Sequence, residues 1–249
     1  MVNDKNPEIT HVIFDLDGLL INTEPVYTEV NSYTMAMFGR KFTLDLKALT
    51  MGMTNEAAIS LMLEKVGLSG KVSVDEYRAI YNPLLRSKLP YCEKMPGAMR
   101  LVRHLAINNI PMAICSGTRS YEFKLKTMNH RELLDLIPLR VCASDDPSIH
   151  EGKPSPDAFL VTMERFEIPP ASPSNVLVFE DAPNGVIAAV RAGMHVVMVP
   201  DFTYSKPPEA VEDQISFVLK SLEDFEPETM GLPSYNNDKI SPFISSWTN

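Results

Sequence analysis

Residues 11–18 read His-Val-Ile-Phe-Asp-Leu-Asp-Gly: a short run of bulky residues that ends abruptly in two carboxylates and a glycine. Within the run, Val12, Ile13 and Phe14 follow one another without a polar break. A strand exposed on one face alternates; a strand covered on both faces, as in parallel sheets, does not. Four more runs share this character: Ile110–Cys115, Leu139–Cys142, Val176–Phe179 and His195–Val199. Helical periodicity lies between them. Ala98, Leu101, Val102, Leu105 and Ala106 form one i, i+3, i+4 stripe after Pro96, and Phe159, Leu160, Met163 and Phe166 form another. A third runs from Pro183 to Gly193 with Val186, Ala189 and Val190 inward, punctuated as helices are by an early Pro and a final Gly. Strands alternating with helices predict an α/β domain built on a doubly wound parallel sheet.

One interval does not fit. Between Asp17 and Ile110 lie far more residues than a crossover needs. Ala58, Ile59, Met62, Leu63 and Val66 predict a helix capped by Thr54 and stopped by Gly67. Ser73 and Glu76 form a capping box ahead of Tyr77, Ile80, Tyr81, Leu84 and Leu85, in a helix that Pro83 should bend. The expected organisation is therefore a core of residues 1–21 and 93–249, with a helical cap domain of residues 22–92 inserted after the first strand. Ligands of open α/β sheets bind beyond the carboxyl ends of the strands. An insert leaving that edge is placed to cover the site. Met35, Met37 and Met62 read as adaptable core, as Met51 and Met53 would, save that the Met51–Met53 loop could face a substrate. The end, from about Pro227, should wrap the surface or fray.

Composition narrows the function. A formal net charge of −9 opposes a nucleic-acid partner, which requires a basic surface, and favours a small anionic ligand held by local positive charge. The three cysteines, Cys92, Cys115 and Cys142, suit neither a disulfide framework nor a zinc site. No apolar run approaches a membrane span, and the first residues lack a signal-peptide pattern. A cytoplasmic setting is the expectation, with no membrane and no obligate protein partner implied.

The chemistry sits at the strand ends. Asp15 and Asp17 would share one face if strand geometry continued past Phe14. They supply the two acids that phosphoryl transfer through a covalent intermediate needs, although a solvated Asp-x-Asp-Gly turn would read the same. Glu180 and Asp181 follow the Val176–Phe179 strand. Brought beside Asp15 and Asp17, they would make four acids at one sheet edge, a set that calls for a hard cation such as Mg²⁺. A helix-start acid pair is the competing reading. Ser116, Gly117 and Thr118 follow the second strand and suit either a phosphate corner or an ordinary N-cap. Lys153, kept out of helical conformation by Pro154, could point into the site and neutralise phosphoryl oxygens.

In this order, and with "FDLDGLL", "GKPSPDAF" and "VFEDAPNGV" as its most telling stretches, the chain resembles the haloacid dehalogenase superfamily along nearly its whole length. The resemblance implies a Rossmann-like core with a helical cap, Mg²⁺ as cofactor, and hydrolysis of a small phosphorylated metabolite. It makes Asp15 the nucleophile and Asp17 the general acid and then base. It makes Asp15, the Asp17 carbonyl, Asp181 and Glu180 the metal site, and Ser116, Gly117 and Lys153 the phosphate site. The superfamily's dehalogenases lack the second aspartate, so Asp17 argues for phosphoryl transfer. A catalytically silent relative should have lost some of these residues, and none is missing.

Further stretches, among them "NHRELL", "DDPSIHEGKPSPDAFL" and the closing "LEDFEPETMGLPSY", are similar to the pseudouridine-5′-phosphatase branch of that superfamily. That similarity implies pseudouridine 5′-phosphate as substrate, with cap residues Met53, Thr54 and Asn55 meeting the leaving group. Glycerol-phosphate and sugar-phosphate phosphatases share the same core and remain alternatives. Two departures stand out: Asn22 where many relatives have Asp, and no Arg near Asn55, which argues against a phosphoglucomutase.

Overall fold

The computed structural model describes residues 7–50, 53 and 55–235. Its centre is a six-stranded, all-parallel sheet in the order β3-β2-β1-β4-β5-β6. The strands are β1 (His11–Phe14), β2 (Met112–Ser116), β3 (Leu139–Cys142), β4 (Val176–Glu180), β5 (His195–Met198) and β6 (Phe217–Val218). The chain winds outward from β1 through β2 to β3, then returns to pair β4 with the other side of β1. That reversal puts the crevice of a doubly wound sheet at the carboxyl ends of β1 and β4, where Asp15 and Glu180 stand.

Alternate side chains go to opposite faces of the sheet. Val12, Phe14, Ile114, Leu177, Phe179 and Val197 join one apolar cluster; Ile13, Ala113, Cys115, Val178, Val196 and Met198 join the other. The second cluster is closed by Phe159 of α8 (Asp157–Glu164) and by Val186 and Ala189 of α9 (Pro183–Arg191). The first is closed by α5 (Ala98–Ile107), by α6 (Ser120–Thr127) and α7 (Arg131–Leu136), and by Leu222, Phe225, Met230 and Leu232 near the chain end. Phe225 sets its ring edge-on to Phe179, 4.9 Å between centroids. The tail to Tyr235 is therefore packed rather than frayed: His104 binds the Pro233 carbonyl at 2.7 Å, and the Arg100 guanidinium lies 3.9 Å over the Tyr235 ring.

Between β1 and β2 the described residues form helices and no strand: α1 (Glu24–Met37), α2 (Leu44–Thr50), α3 (Asn55–Lys65) and α4 (Val74–Lys88). The Ser73–Glu76 capping box is present in both directions. Helix α4 continues through Pro83 for five residues to Lys88. Met35 and Met62 are buried as expected, whereas Met37 and Met53 are exposed. Thr54 and Met51 lie outside the described residues. The two passages into and out of this segment lie side by side: Met95 N donates to Leu20 O at 3.0 Å and Asn22 N to Glu93 O at 2.8 Å. Asn129 and His130 fasten the second passage by donating to, or pairing with, the carbonyls of Pro90 and Cys92.

The five strands expected from sequence all form. Strand β2 begins two residues late, because Asn109 takes a left-handed turn (φ 56°) and Pro111 has no N–H to give the ladder. No helix is long and apolar enough to cross a membrane among the described residues.

Candidate active site

Strand β1 stops at Phe14, but Asp15 N still donates to Phe179 O at 3.0 Å, holding Asp15 against β4. Its carboxylate and those of Glu180 and Asp181 converge, with one oxygen from each lying within 4.8 Å of the others, all three residues buried. Two glycines make this approach possible. A Cβ on Gly18 would lie 2.2 Å from Asp181 Oδ2, and one on Gly185 would lie 1.7 Å from Glu180 Oε1.

Lys153 is the cation of this cluster. Its Nζ donates to Asp15 Oδ1 and Glu180 Oε1, both at 2.6 Å, and to Cys115 O at 3.1 Å. Glu180 also accepts from the main-chain N–H groups of Asp181 and Ala182. One ammonium faces three buried carboxylates, and the imbalance shows in the titration of the group. Burial pushes Asp15 up to about 7, with Lys153 opposing and Glu180 and Asp17 reinforcing. Burial, then Glu180 and Asp15, hold Asp181 well above the carboxylate range. For Lys153 burial opposes the charge, yet Asp15 and Glu180 outweigh it and keep the ammonium protonated well beyond its usual range. This is an oxygen-rich, electron-rich donor set with too little positive charge of its own, which fits a hard divalent cation such as Mg²⁺.

Asp17 goes elsewhere. Strand geometry does not persist past Phe14, so the same-face expectation fails for the second aspartate. The Asp17 carboxylate accepts from Thr23 Oγ1 at 2.8 Å, from Ser116 Oγ at 3.3 Å and from Lys126 Nζ at 2.8 Å. The expected quartet of acids is thus three converging carboxylates, two of them paired with Lys153, with the fourth bound to Lys126. Ser116 ends β2 and also receives the Thr118 N–H at 3.2 Å; Gly117 follows it, exposed, with its carbonyl bonded to Ser144 Oγ.

A family model described as haloacid dehalogenase-like hydrolase matches residues 12–199. The chain belongs to this family. It is 45% identical over 229 residues to a (DL)-glycerol-3-phosphatase of Arabidopsis thaliana, covering 92% of this chain and 94% of that one. It is 41% identical over 241 residues to a probable pseudouridine-5′-phosphatase of Drosophila melanogaster, covering 95% and 100%. Among solved structures, a family hydrolase of Deinococcus radiodurans superposes with a TM-score of 0.73 over 92% of this chain and all of that one, at 21% identity. As a haloacid dehalogenase-like phosphatase, the chain is a phosphoric monoester hydrolase.

In this haloacid dehalogenase-like chain the helical segment faces the same crevice. Lys47 of α2 pairs with Glu24 at 3.0 Å and sits 3.8 Å over the Tyr204 ring, so α2 reaches the loop after β5. Tyr27 of α1 lies with its ring 5.4 Å from Lys126 Nζ. Of the expected substrate contacts, Met53 is exposed and Asn55 Oδ1 accepts from Arg78 Nε at 3.0 Å, while Thr54 is outside the described residues. Lys126, Thr23, Tyr27 and Lys47 were not singled out in the sequence. Thr23 carries a weak signal, since it stands just before the first helix beside the aspartates; Lys126 carries none that separates it from Lys124.

Proposed function

We propose that this phosphatase hydrolyses a small phosphomonoester with Mg²⁺ through an aspartyl-phosphate at Asp15. The observation that carries the reading is the set of three converging carboxylates with a single lysine to balance them. Asp15, Glu180 and Asp181 would hold the metal, together with the main-chain carbonyl of Asp17. When bound, the cation supplies the positive charge that lets Asp15 stay ionised beside an anionic substrate. An Asp15 carboxylate oxygen attacks phosphorus, the ester P–O bond breaks, and Asp17 gives its proton to the departing oxygen. In the second half, Asp17 takes a proton from the water that attacks phosphorus, and Asp15 is released with inorganic phosphate. Lys153 already touches Asp15 and is placed to neutralise the transferring oxygens, with Ser116 and the Gly117 turn beside it. Residues 22–92 act as the cap, and closing it excludes water from the chemistry.

The substrate reading is pseudouridine 5′-phosphate. Two aromatic side chains lie near this end, Tyr27 with its ring 5.4 Å from Lys126 Nζ and Tyr204 with its ring 3.8 Å from Lys47 Nζ, and rings of this kind suit a flat base more than a bare polyol. Similarity of the tail stretch 222–235 supports the same reading. Glycerol phosphate is the second reading, favoured by the higher identity to the Arabidopsis enzyme. The test is phosphate release from both esters and from hexose phosphates, with Mg²⁺ and with EDTA. Undiminished turnover in EDTA refutes the metal role, and a higher kcat/KM for glycerol phosphate replaces the substrate reading with the second one.

A further inference from the structure

Helix α6 carries a lysine that has no place in the nucleophile and metal cluster. Lys126 has a side chain only 1% exposed, and its ammonium makes three close polar contacts. It lies 2.8 Å from each carboxylate oxygen of Asp17 and 3.0 Å from Thr118 Oγ1. Thr118 is fixed in turn: its hydroxyl donates to Glu122 Oε2 at 3.0 Å, and its N–H donates to Ser116 Oγ. Ser116 closes the ring by donating to Asp17 Oδ2. A buried ammonium persists only when its partners are in place, so the pair fixes both members. Thr23 and Ser116 each reach one oxygen of Asp17; Lys126 alone spans both, which is what sets the plane of a carboxyl group.

We propose that Lys126 is a positioning residue that holds the Asp17 carboxyl in the plane from which it passes a proton to the leaving oxygen. This rests on the reading of Asp17 as general acid. The polar contacts of Lys126 are to Asp17 and Thr118, not to Asp15. It acts through Asp17, and its loss lets that carboxyl rotate about its remaining hydroxyl partners. A displacement of about 1 Å in a reacting group can cost on the order of 10²-fold in rate.

The leaving group separates this role from a merely structural one. An alkyl phosphate needs its departing oxygen protonated, whereas p-nitrophenyl phosphate expels p-nitrophenolate, a stable anion. The measurement is kcat/KM for both esters, which reports the steps up to formation of the aspartyl-phosphate. Because the ratio of the two values does not depend on the folded fraction, it stays readable in a weakened variant. Lys126→Met should lower kcat/KM for glycerol phosphate by about 10- to 10²-fold and for p-nitrophenyl phosphate by no more than about threefold. Lys126→Gln, which keeps a donor, should fall between wild type and Lys126→Met, and it serves if the methionine variant is insoluble. Asp17→Asn is the control, with a loss of about 10²–10⁴-fold confined to the alkyl ester. If Asp17→Asn is selective and the Lys126 variants lose equally on both esters, or lose nothing, the positioning role is overturned while the acid assignment stands. If Asp17→Asn is itself unselective, the acid assignment falls and the positioning role with it.

Discussion

Replacing Gly185 by alanine would place a Cβ 1.7 Å from Glu180 Oε1 and 2.0 Å from its Cδ, where real Cβ atoms essentially never come within 3.0 Å. Either the carboxylate retreats by at least about 1.3 Å or α9 lifts off the sheet. The carboxylate cannot retreat freely. Oε1 is held by Lys153 at 2.6 Å, Oε2 by the N–H groups of Asp181 and Ala182 at 3.0 and 3.2 Å, and the residue is 1% exposed. A hydrogen bond to a charged group contributes about 1.5–3 kcal/mol, and a buried amide left unpaired costs about 1–3 kcal/mol. Lifting α9 would lose part of the packing of Val186 and Ala189 instead, so the cheaper of the two routes sets the outcome. That brackets the loss at about 3–5 kcal/mol, the range for disrupting a buried ion pair. For a chain of this length each kcal/mol moves Tm by about 2–4 °C, so Gly185→Ala should melt about 6–20 °C below wild type by circular dichroism. The rise in Tm on adding Mg²⁺ should shrink as well, since Glu180 can no longer sit beside Asp15 and Asp181. Gly152→Ala is the control: a Cβ there meets nothing within 4 Å, and its Tm should stay within about 2 °C of wild type. A Gly185→Ala protein that melts within about 2 °C of wild type would refute the argument that the Glu180 pocket forces glycine.

The raised value of Asp15 has a stability consequence with a definite sign. Burial lifts it from 3.8 to about 7, so the native state binds this proton more tightly than the unfolded chain, and ionising it costs stability as pH rises through that window. In EDTA, the Tm of Asp15→Asn relative to wild type should therefore rise between about pH 4 and 7 and level off above, while its turnover falls by orders of magnitude; a Tm difference that does not grow across that window contradicts the assignment. Leu232 is 4% exposed in the packed tail, so Leu232→Ala should cost about 2–5 kcal/mol in denaturant unfolding and leave kcat/KM within twofold; an unchanged midpoint would mean the tail is not part of the folded unit. A metal fluoride bound at Asp15 should close the helical segment about the paired passages Leu20–Asn22 and Glu93–Met95, seen as a smaller radius of gyration in solution scattering; identical profiles with and without it would refute the gating account.

What the sequence disclosed depended on how local the cause was. Strands β1, β4 and β5 are unbroken apolar runs because both faces are covered, and that leaves a mark in any short window. The Ser73–Glu76 box is equally local. Strand β6 is two residues long, too short for a period to register, and it forms only because β5 offers an edge. Lys153 announced itself through the rigid Lys-Pro context. Lys126 did not: α6 has no clear apolar stripe, Lys124 and Lys126 are chemically alike, and only the distant Asp17 decides which is buried. The same-face expectation for Asp15 and Asp17 failed for a related reason. It extended the strand by two residues, whereas the backbone leaves the ladder after the Asp15 N–H and closes a turn with Gly18 N bonded to Ile21 O.

That early departure is what lets one sheet edge hold two kinds of acid. Had β1 run on, the carboxylates of Asp15 and Asp17 would stand on one face about 7 Å apart, where each disfavours the charge of the other. Instead Asp15 stays against β4 with Glu180, Asp181 and Lys153, and Asp17 turns to Lys126, Thr23 and Ser116. Gly18 works on both sides of this division. Its φ of +79° is the left-handed bend that turns the chain, and its missing Cβ leaves the space in which Asp181 Oδ2 comes to rest. One acid is thereby surrounded by other acids and set where a cation must gather them. The other is more exposed, at 22%, and bonded to hydroxyls and an ammonium, an environment in which a carboxyl can exchange protons with a substrate or water. On the proposed mechanism, with Asp15 as nucleophile and Asp17 as acid–base, the two need such separate surroundings, and two residues of spacing plus one glycine supply them.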